Sequence, residues 1–272
     1  MPVPPYDEAG RGPAIVFSHG TMMDRSMFRP QLDALSRSFR VIAFDHRART
    51  ARWRGPYSLD DLASDCLALL DTLRIERCVL GGMSMGGFMA LRLALRHPER
   101  LNAMILIDSM ASAPLSPNEG FFRSLKHSGP LSEAVAQRNA DILFGVTTRS
   151  QRPELVEAWK TRWRDLTGPS VYWETASWLH REDLSSRLGE ISVPTLVIHG
   201  EEDIIIPIAA GEEMADGVQN GSFVRIANAG HTANLEDPDA VNAAISDFVE
   251  SLVLAHDSRG AAAQELGRNF PD

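Results

Sequence analysis

The sequence has few cysteines, no long apolar run and no excess of positive charge, and each absence excludes a class of protein. Only two of its 272 residues are cysteines, Cys66 and Cys78. Both lie in apolar stretches, so we expect buried free thiols and no disulfide framework. No apolar run approaches the ~18 residues that a membrane-spanning helix needs.

The charge balance also limits the partners. A net charge of −9 argues against nucleic acid or an anionic membrane surface as the main partner. Residues 1–5 carry neither the positive charge nor the apolar run of a signal peptide, so we expect a cytoplasmic protein. His-Glu-x-x-His and Cys-x-x-Cys motifs are missing, and we expect neither a metal nor a cofactor.

Short apolar runs alternate with helical patterns along most of the chain. The runs, which predict strands, cover residues 14–17, 40–44, 78–80, 101–107, 193–199 and 222–226. A capping pattern at Ser58 and Asp61 begins one helix, Pro98 ends another, and Pro238 opens the last. This alternation predicts an α/β fold with a mostly parallel sheet flanked by helices, in which ligands bind beyond the carboxyl ends of the strands.

The alternation stops between residues 113 and 191, where four helices are predicted at 119–126, 131–143, 153–163 and 170–180. This segment holds Trp159, Trp163, Trp173 and Trp178, four of the five tryptophans. We interpret it as an inserted all-helical cap on a core formed by residues 1–112 and 192–255. Residues 256–272 lack a core-facing pattern and are expected to be a mobile tail.

The most informative stretch is Gly-Gly-Met-Ser-Met-Gly-Gly at residues 81–87, where a predicted strand meets a predicted helix. A strand that turns directly into a helix brings the two elements close together, so Gly82 and Gly86 must lack side chains. Ser84 would be exposed at the tip of the turn, and the Met85 N–H would face a developing oxyanion. The pattern predicts a nucleophile elbow, and its alternative is a glycine-rich turn whose serine caps the helix.

Two further residues complete a known catalytic pattern. Asp203 and His231 each follow a predicted strand, as Ser84 does. An imidazole can take the proton of a serine hydroxyl, and a carboxylate can fix the tautomer of that imidazole. Five further motifs accompany them: His19-Gly20, Asp45-His46-Arg47, His199-Gly-Glu-Glu-Asp203, Ala229-Gly-His231 and Leu235-Glu-Asp-Pro238. With these motifs, the chain resembles the α/β-hydrolase-fold serine hydrolases with a helical cap, and among them the 3-oxoadipate enol-lactonases and related small esterases.

The resemblance implies a role for each matching residue. Ser84 would be the nucleophile, His231 the general base and then the general acid, and Asp203 the carboxylate that orients His231. The implied oxyanion hole uses the backbone N–H groups of Met85 and Thr21.

Other acids near the pattern remain as alternatives. Asp108 follows the strand after Ser84, where some proteins of this fold place the acid. Glu201 and Glu202 precede Asp203 and are expected to face solvent. His19 is expected to bond to the backbone of its own loop.

The chain departs from the family in two places. Residues 48–54 lack the usual glycines, and arginines at positions 47, 49, 52 and 54 give this loop a concentration of positive charge. These arginines either form a positive rim that favours a carboxylate-bearing substrate or belong to a solvated loop in which Arg47 makes a structural pair. About 13 residues precede the first clear strand, which implies a shortened sheet edge.

The leading functional hypothesis is hydrolysis of a small-molecule carboxylic ester or lactone through an acyl-enzyme on Ser84. Hydrolysis of a carbon–carbon bond in a diketone and perhydrolysis use the same residues and remain alternatives. A ligand-binding protein without catalysis is less favoured, because binding alone does not need an intact Ser, His and Asp. Candidate substrate contacts are Met22, Arg49, Trp159, Trp163 and Trp178.

Overall fold

A seven-stranded sheet forms the centre of the protein. The structure is a computed structural model that describes residues 3–113 and 119–252. The strand order is β1-β3-β2-β4-β5-β6-β7. The first strand is antiparallel to β3 and the other neighbours are parallel, which confirms the predicted α/β fold. The strands are β1 (Tyr6–Ala9), β2 (Ala14–Ser18), β3 (Arg40–Phe44), β4 (Cys78–Met83), β5 (Leu101–Ile107), β6 (Thr195–Gly200) and β7 (Gly221–Ile226).

Helices cover both faces of the sheet. In chain order they are α1 (Arg29–Leu35), α2 (Leu59–Thr72), α3 (Met85–Arg96), α4 (Glu119–Leu125), α5 (Glu133–Leu143), α6 (Val146–Gln151), α7 (Pro153–Arg164), α8 (Gly168–Leu179), α9 (Ile208–Gly217), α10 (Ala233–Glu236) and α11 (238–252). Apolar residues of α2, α3 and α9 share one core cluster, and those of α1 and α11 share the other. Alternate residues of β3 fall into opposite clusters, because successive side chains of a strand point to opposite faces.

The capping and proline signals located the helix ends well. Ser58 and Asp61 form a reciprocal capping box at the start of α2, and α3 ends at Arg96, before Pro98. Helices α6 and α9 were not predicted. The sequence of α6 has only six residues, mostly polar, and α9 is rich in small residues, so neither carries a clear apolar stripe.

The edge strand β1 is short and mostly exposed. It pairs with β3 over four residues, from Tyr6 opposite Phe44 to Ala9 opposite Val41. Because its side chains are largely exposed, the sequence shows no alternating apolar pattern there. The sheet edge is therefore present in a shortened form, as the sequence implied.

Among the described residues, helices α4 to α8 lie between β5 and β6 in the chain. Apolar residues of α5 and α7 belong to the same core cluster as α1 and α11, so these inserted helices pack continuously with the rest of the protein. Residues 114–118 of the predicted cap and residues 256–272 of the predicted tail lie outside the described residues.

Both cysteines are free and buried, as predicted. Burial raises the pKa of the Cys78 thiol to about 12, which makes it unreactive at neutral pH. Across residues 3–113 and 119–252, none of the helices combines the length and the apolar character that crossing a bilayer requires.

Candidate active site

Ser84 occupies a sharp turn between β4 and α3. Its backbone has φ 49° and ψ −113°, a strained conformation for a residue with a side chain. A methyl group on Gly86 would lie 2.1 Å from the Ser18 carbonyl oxygen, and one on Gly82 would lie 2.4 Å from the Gly86 carbonyl. Neither glycine can carry a side chain, because strand and helix are in direct contact.

The turn brings Ser84 to His231, which in turn contacts Asp203. The Ser84 hydroxyl lies 2.9 Å from Nε2 of His231, and Nδ1 of His231 lies 2.7 Å from Oδ2 of Asp203. The carboxylate accepts the Nδ1–H, so the lone pair of Nε2 faces the serine hydroxyl. Asp203 lies 119 positions after Ser84 in the sequence and His231 lies 147 positions after it. The fold brings the three residues together through two short hydrogen bonds.

Electrostatics favour a charged carboxylate next to a basic imidazole. Burial alone would lower the pKa of His231, but the charge and hydrogen bond of Asp203 outweigh it and raise that pKa above its usual 6.5. Burial would likewise raise the pKa of Asp203, but His231 and His199 together lower it below its usual range. The pair is thus arranged to stabilise an imidazolium ion.

The turn that carries Asp203 is held by its own backbone. Oδ1 of Asp203 accepts the N–H groups of Ile205 and Ile206 at 2.8 and 3.0 Å. Nε2 of His199 lies 3.2 Å from Oδ2 of Asp203 and 3.0 Å from the Ile206 carbonyl oxygen. The carboxylate therefore has little freedom to turn away from His231.

Asp108, the alternative acid, has a different set of contacts. Its two oxygens accept the N–H groups of Gly200 and Ala233, each at 2.8 Å, so it connects the end of β6 to the start of α10. Burial raises its pKa to about 6. Within the described part of the chain, Asp108 is bonded to backbone groups rather than to the imidazole.

The carboxylates of Asp108 and Asp203, with His199, place potential metal-ligand atoms within 4.8 Å of one another. Each of the four carboxylate oxygens already accepts a hydrogen bond. The described contacts therefore make this group a hydrogen-bonded network that joins the ends of several strands and loops.

The turn at His19 and Gly20 lies directly beside the serine. A methyl group on Gly20 would be 3.3 Å from Cβ of Ser84. His19 donates from Nδ1 to the Gly20 carbonyl at 2.8 Å and accepts the His46 N–H on Nε2 at 3.0 Å, as expected for a histidine that supports a loop. Burial, with the nearby charge of Arg49, lowers the pKa of His19 to about 3, so this imidazole stays neutral.

Two backbone N–H groups were predicted to face the oxyanion. Met85 is the first residue of α3, and an N–H in the first turn of a helix has no acceptor within that helix. Thr21 follows Gly20, in the turn closed by the bond from the Met23 N–H to the Gly20 carbonyl at 3.2 Å. Met85 therefore follows Ser84 in the chain, and Thr21 belongs to the turn that lies beside Ser84 in space.

The arginine-rich loop does not form an open positive rim. Arg47 and Arg52 donate to Asp65 at 2.6 and 2.9 Å, and Arg49 donates to Glu174 at 2.8 Å. The structural pair expected for Arg47 is confirmed. The sequence shows the four positive charges but not the carboxylates that the fold places against three of them; the fourth arginine, Arg54, lies over the ring of Trp53.

The predicted substrate contacts occupy different environments. Trp163 is fully buried and Trp159 nearly so, and both rings pack with each other in the core cluster that contains α5 and α7. Trp178 is half-buried, with its ring 6.2 Å from that of Phe88 on α3. Met22 lies in the turn beside Ser84 and packs against apolar residues of the inserted helices.

Two glutamates near the site were not assigned a role from the sequence. Glu202 accepts the N–H of Thr147 at 2.9 Å at the start of α6, so the prediction that it faces solvent is wrong, whereas Glu201 is exposed as predicted. Glu236 accepts the N–H of Gly145 at 2.8 Å. No local pattern marks such residues, because their partners lie 55 and 91 positions away.

Comparison with known proteins identifies the class. A sequence profile described as the Alpha/beta hydrolase family matches residues 15–244. The chain therefore belongs to the alpha/beta hydrolase family, and it is a hydrolase enzyme.

Individual relatives include enol-lactonases and an esterase. The 3-oxoadipate enol-lactonase 2 of Acinetobacter baylyi is 31% identical over 88% of this chain and 89% of its own length. A thermophilic esterase from Thermogutta terrifontis superposes with a TM-score of 0.85 at 29% identity, covering 91% of this chain and 93% of the other. The enol-lactonase from Burkholderia xenovorans gives a TM-score of 0.83 at 28% identity, covering 90% and 95%.

Proposed function

We propose that the protein hydrolyses a small-molecule carboxylic ester or lactone, with Ser84 as nucleophile, His231 as general base and acid, and Asp203 as the orienting carboxylate. The observation that carries the proposal is the pair of hydrogen bonds from Ser84 to His231 and from His231 to Asp203, at 2.9 and 2.7 Å. Family membership supports hydrolysis, and similarity to enol-lactonases and an esterase supports an ester or lactone as the substrate class.

In the first half of the reaction, Nε2 of His231 takes the proton from Ser84 as Oγ attacks the carbonyl carbon. The carbonyl π bond becomes an oxyanion, which the N–H groups of Met85 and Thr21 stabilise. When the carbon–oxygen single bond breaks, His231 returns the proton to the departing alkoxide. The product at this stage is an acyl-enzyme on Ser84, and from a lactone both ends of the substrate remain in one acyl group.

In the second half, water replaces the alcohol. His231 removes a proton from water while the water oxygen attacks the acyl carbon, and the second oxyanion accepts hydrogen bonds from the same two N–H groups. Collapse breaks the bond to Ser84, whose oxygen recovers the proton from the imidazolium. Asp203 stabilises the imidazolium in both halves.

The inserted helices are proposed to form the cap over this edge of the sheet, spanning residues 113–191. Two contacts support this arrangement: Glu174 of α8 accepts the Met22 N–H, and Trp178 of α8 packs on Phe88 of α3. A cap of this kind would exclude bulk water and shape the acyl pocket.

The test is hydrolysis of a panel of acyl esters and lactones, including an enol-lactone, by wild-type protein and Ser84→Ala. We expect kcat on the best substrate to fall by about 10⁵ to 10⁶ in Ser84→Ala. Ser64→Ala removes an exposed serine of α2 and should have no effect. Unchanged hydrolysis in Ser84→Ala would contradict the proposal.

A further inference from the structure

A buried carboxylate joins helix α8 to the turn that carries Thr21. The Glu174 side chain has no solvent exposure, and its Oε2 accepts the N–H of Met22 at 2.9 Å and an N–H of Arg49 at 2.8 Å. A carboxylate in this environment is stable only when its charge is compensated and hydrogen-bonded. The buried charge of Glu174 is therefore stabilised by the Met22 N–H and the Arg49 guanidinium together.

Arg49 holds the next residue of the same turn. Its Nε donates to the carbonyl oxygen of Met23 at 2.7 Å, while its Nη2 reaches Glu174. Its Nη1 donates to the carbonyl of Ala48 at 3.2 Å, and the side chain is 6% exposed. The guanidinium is therefore occupied by protein groups.

The turn needs external support. Met22 has φ 62°, a left-handed conformation that residues other than glycine rarely adopt. Strained conformations of this kind persist when surrounding contacts fix them. The Glu174–Arg49 pair supplies such contacts on both sides, at the N–H of Met22 and at the carbonyl of Met23.

We propose that Glu174 and Arg49 are positioning residues that fix turn 20–23 so that the Thr21 N–H points at the oxyanion. This inference rests on the proposed function, because it assigns the pair a purpose in stabilising the tetrahedral intermediate. It makes helix α8 a participant in catalysis without substrate contact. Burial raises the pKa of Glu174, and Arg49 and the Met22 N–H oppose that rise, so removing Arg49 weakens the charged form that holds the turn.

The test uses Glu174→Gln and Arg49→Met. An amide at position 174 still accepts a hydrogen bond but cannot balance the Arg49 charge. Complete loss of one oxyanion donor costs about 10²- to 10³-fold in kcat, so a displaced donor should cost about 10- to 100-fold, with KM changed by less than about threefold. The double variant should lose no more than the worse single variant, because both act through one turn.

A second measurement separates positioning from general structure. Binding of a trifluoromethyl ketone, whose adduct with Ser84 carries an oxyanion, should weaken in parallel with kcat/KM. Glu133→Gln is the control, because this carboxylate of α5 makes exposed pairs with Lys160 and Arg164 and should leave kcat unchanged.

The proposal is overturned if folded Glu174→Gln and Arg49→Met retain kcat within twofold, or if the loss appears only in KM. Should either variant fail to fold, Arg49→Lys decides the matter. It keeps the charge but replaces the two nitrogens that reach Met23 and Glu174 by a single ammonium nitrogen on a flexible chain, so it should lose several-fold in kcat, and unchanged kcat would reject the proposal. Wild-type protein without Ser84-dependent hydrolysis would instead reject the proposed function.

Discussion

Replacing Asp203 by Asn tests the assignment of the acid. In the native protein, the carboxylate accepts the Nδ1–H of His231 at 2.7 Å. The N–H groups of Ile205 and Ile206 already occupy Oδ1 at 2.8 and 3.0 Å, so an Asn would keep its oxygen there and turn its NH₂ toward His231. The imidazole would then accept at Nδ1 and carry its proton on Nε2, where it could not take the proton of Ser84.

The wrong tautomer sets the size of the effect. Loss of the acid in such a triad lowers kcat by about 10⁴-fold, which corresponds to about 5.5 kcal/mol of transition-state stabilisation. Asp108→Asn should behave differently, because Asp108 bonds to the N–H groups of Gly200 and Ala233. One of those N–H groups would lose its acceptor, and we expect a loss of about 1 to 3 kcal/mol in the free energy of unfolding with less than about tenfold change in kcat.

The assay is steady-state hydrolysis of the best ester or lactone, with urea unfolding of each variant as the stability measurement. A nearly silent Asp203→Asn combined with a severe loss in Asp108→Asn would refute the reasoning, because it would make Asp108 the acid.

Three further predictions concern His231, Gly86 and Glu202. The pKa of His231 is raised above 6.5, and this base must be neutral to accept a proton, so kcat/KM should fall as the pH drops through that raised value. In Asp203→Asn the fall should move to lower pH, because the carboxylate that raises the pKa is lost. Gly86→Ala should lower the unfolding free energy, measured in urea, by about 3 kcal/mol or more, because its Cβ would lie 2.1 Å from a backbone oxygen. Gly129→Ala is the control: no described atom lies within 4 Å of its added Cβ, so its unfolding free energy should stay within about 0.5 kcal/mol of the wild-type value. Glu202→Gln should lower the unfolding free energy by about 1 kcal/mol, seen as a lower Tm, because the start of α6 loses a charged acceptor.

Local patterns were sufficient to predict the framework of this protein. Apolar runs predicted most strands to within a few residues, since buried parallel strands read as continuous apolar segments. The glycines around Ser84 predicted the tight strand-to-helix turn, because close contact between backbones leaves no alternative residue. Chain order and position after strands favoured Asp203 and His231, with Asp108 left as an alternative acid. The fold brings His231 into contact with Ser84, and Asp203 into contact with His231.

Long-range partners could not be read from the sequence. Arg49 and Glu174 are 125 positions apart, so the pattern of arginines could not show that Arg49 forms a buried pair, and an open rim and a solvated loop both remained as alternatives. Glu202 looked like a solvent-facing neighbour of Asp203 because α6, which supplies its partner, has no apolar stripe of its own. Such contacts depend on how the inserted helices pack on the sheet, and that packing is a tertiary property.

The most direct test of the central claim is covalent labelling by a fluorophosphonate, with the modified residue located by mass spectrometry. The reagent requires an activated serine next to an oxyanion hole, so we predict one adduct, on Ser84, formed rapidly in wild-type protein and at least about 10³-fold more slowly in His231→Ala. An adduct on a different serine, or labelling of Ser84 that is equally fast in His231→Ala, would contradict the assignment of Ser84 and His231 as nucleophile and base.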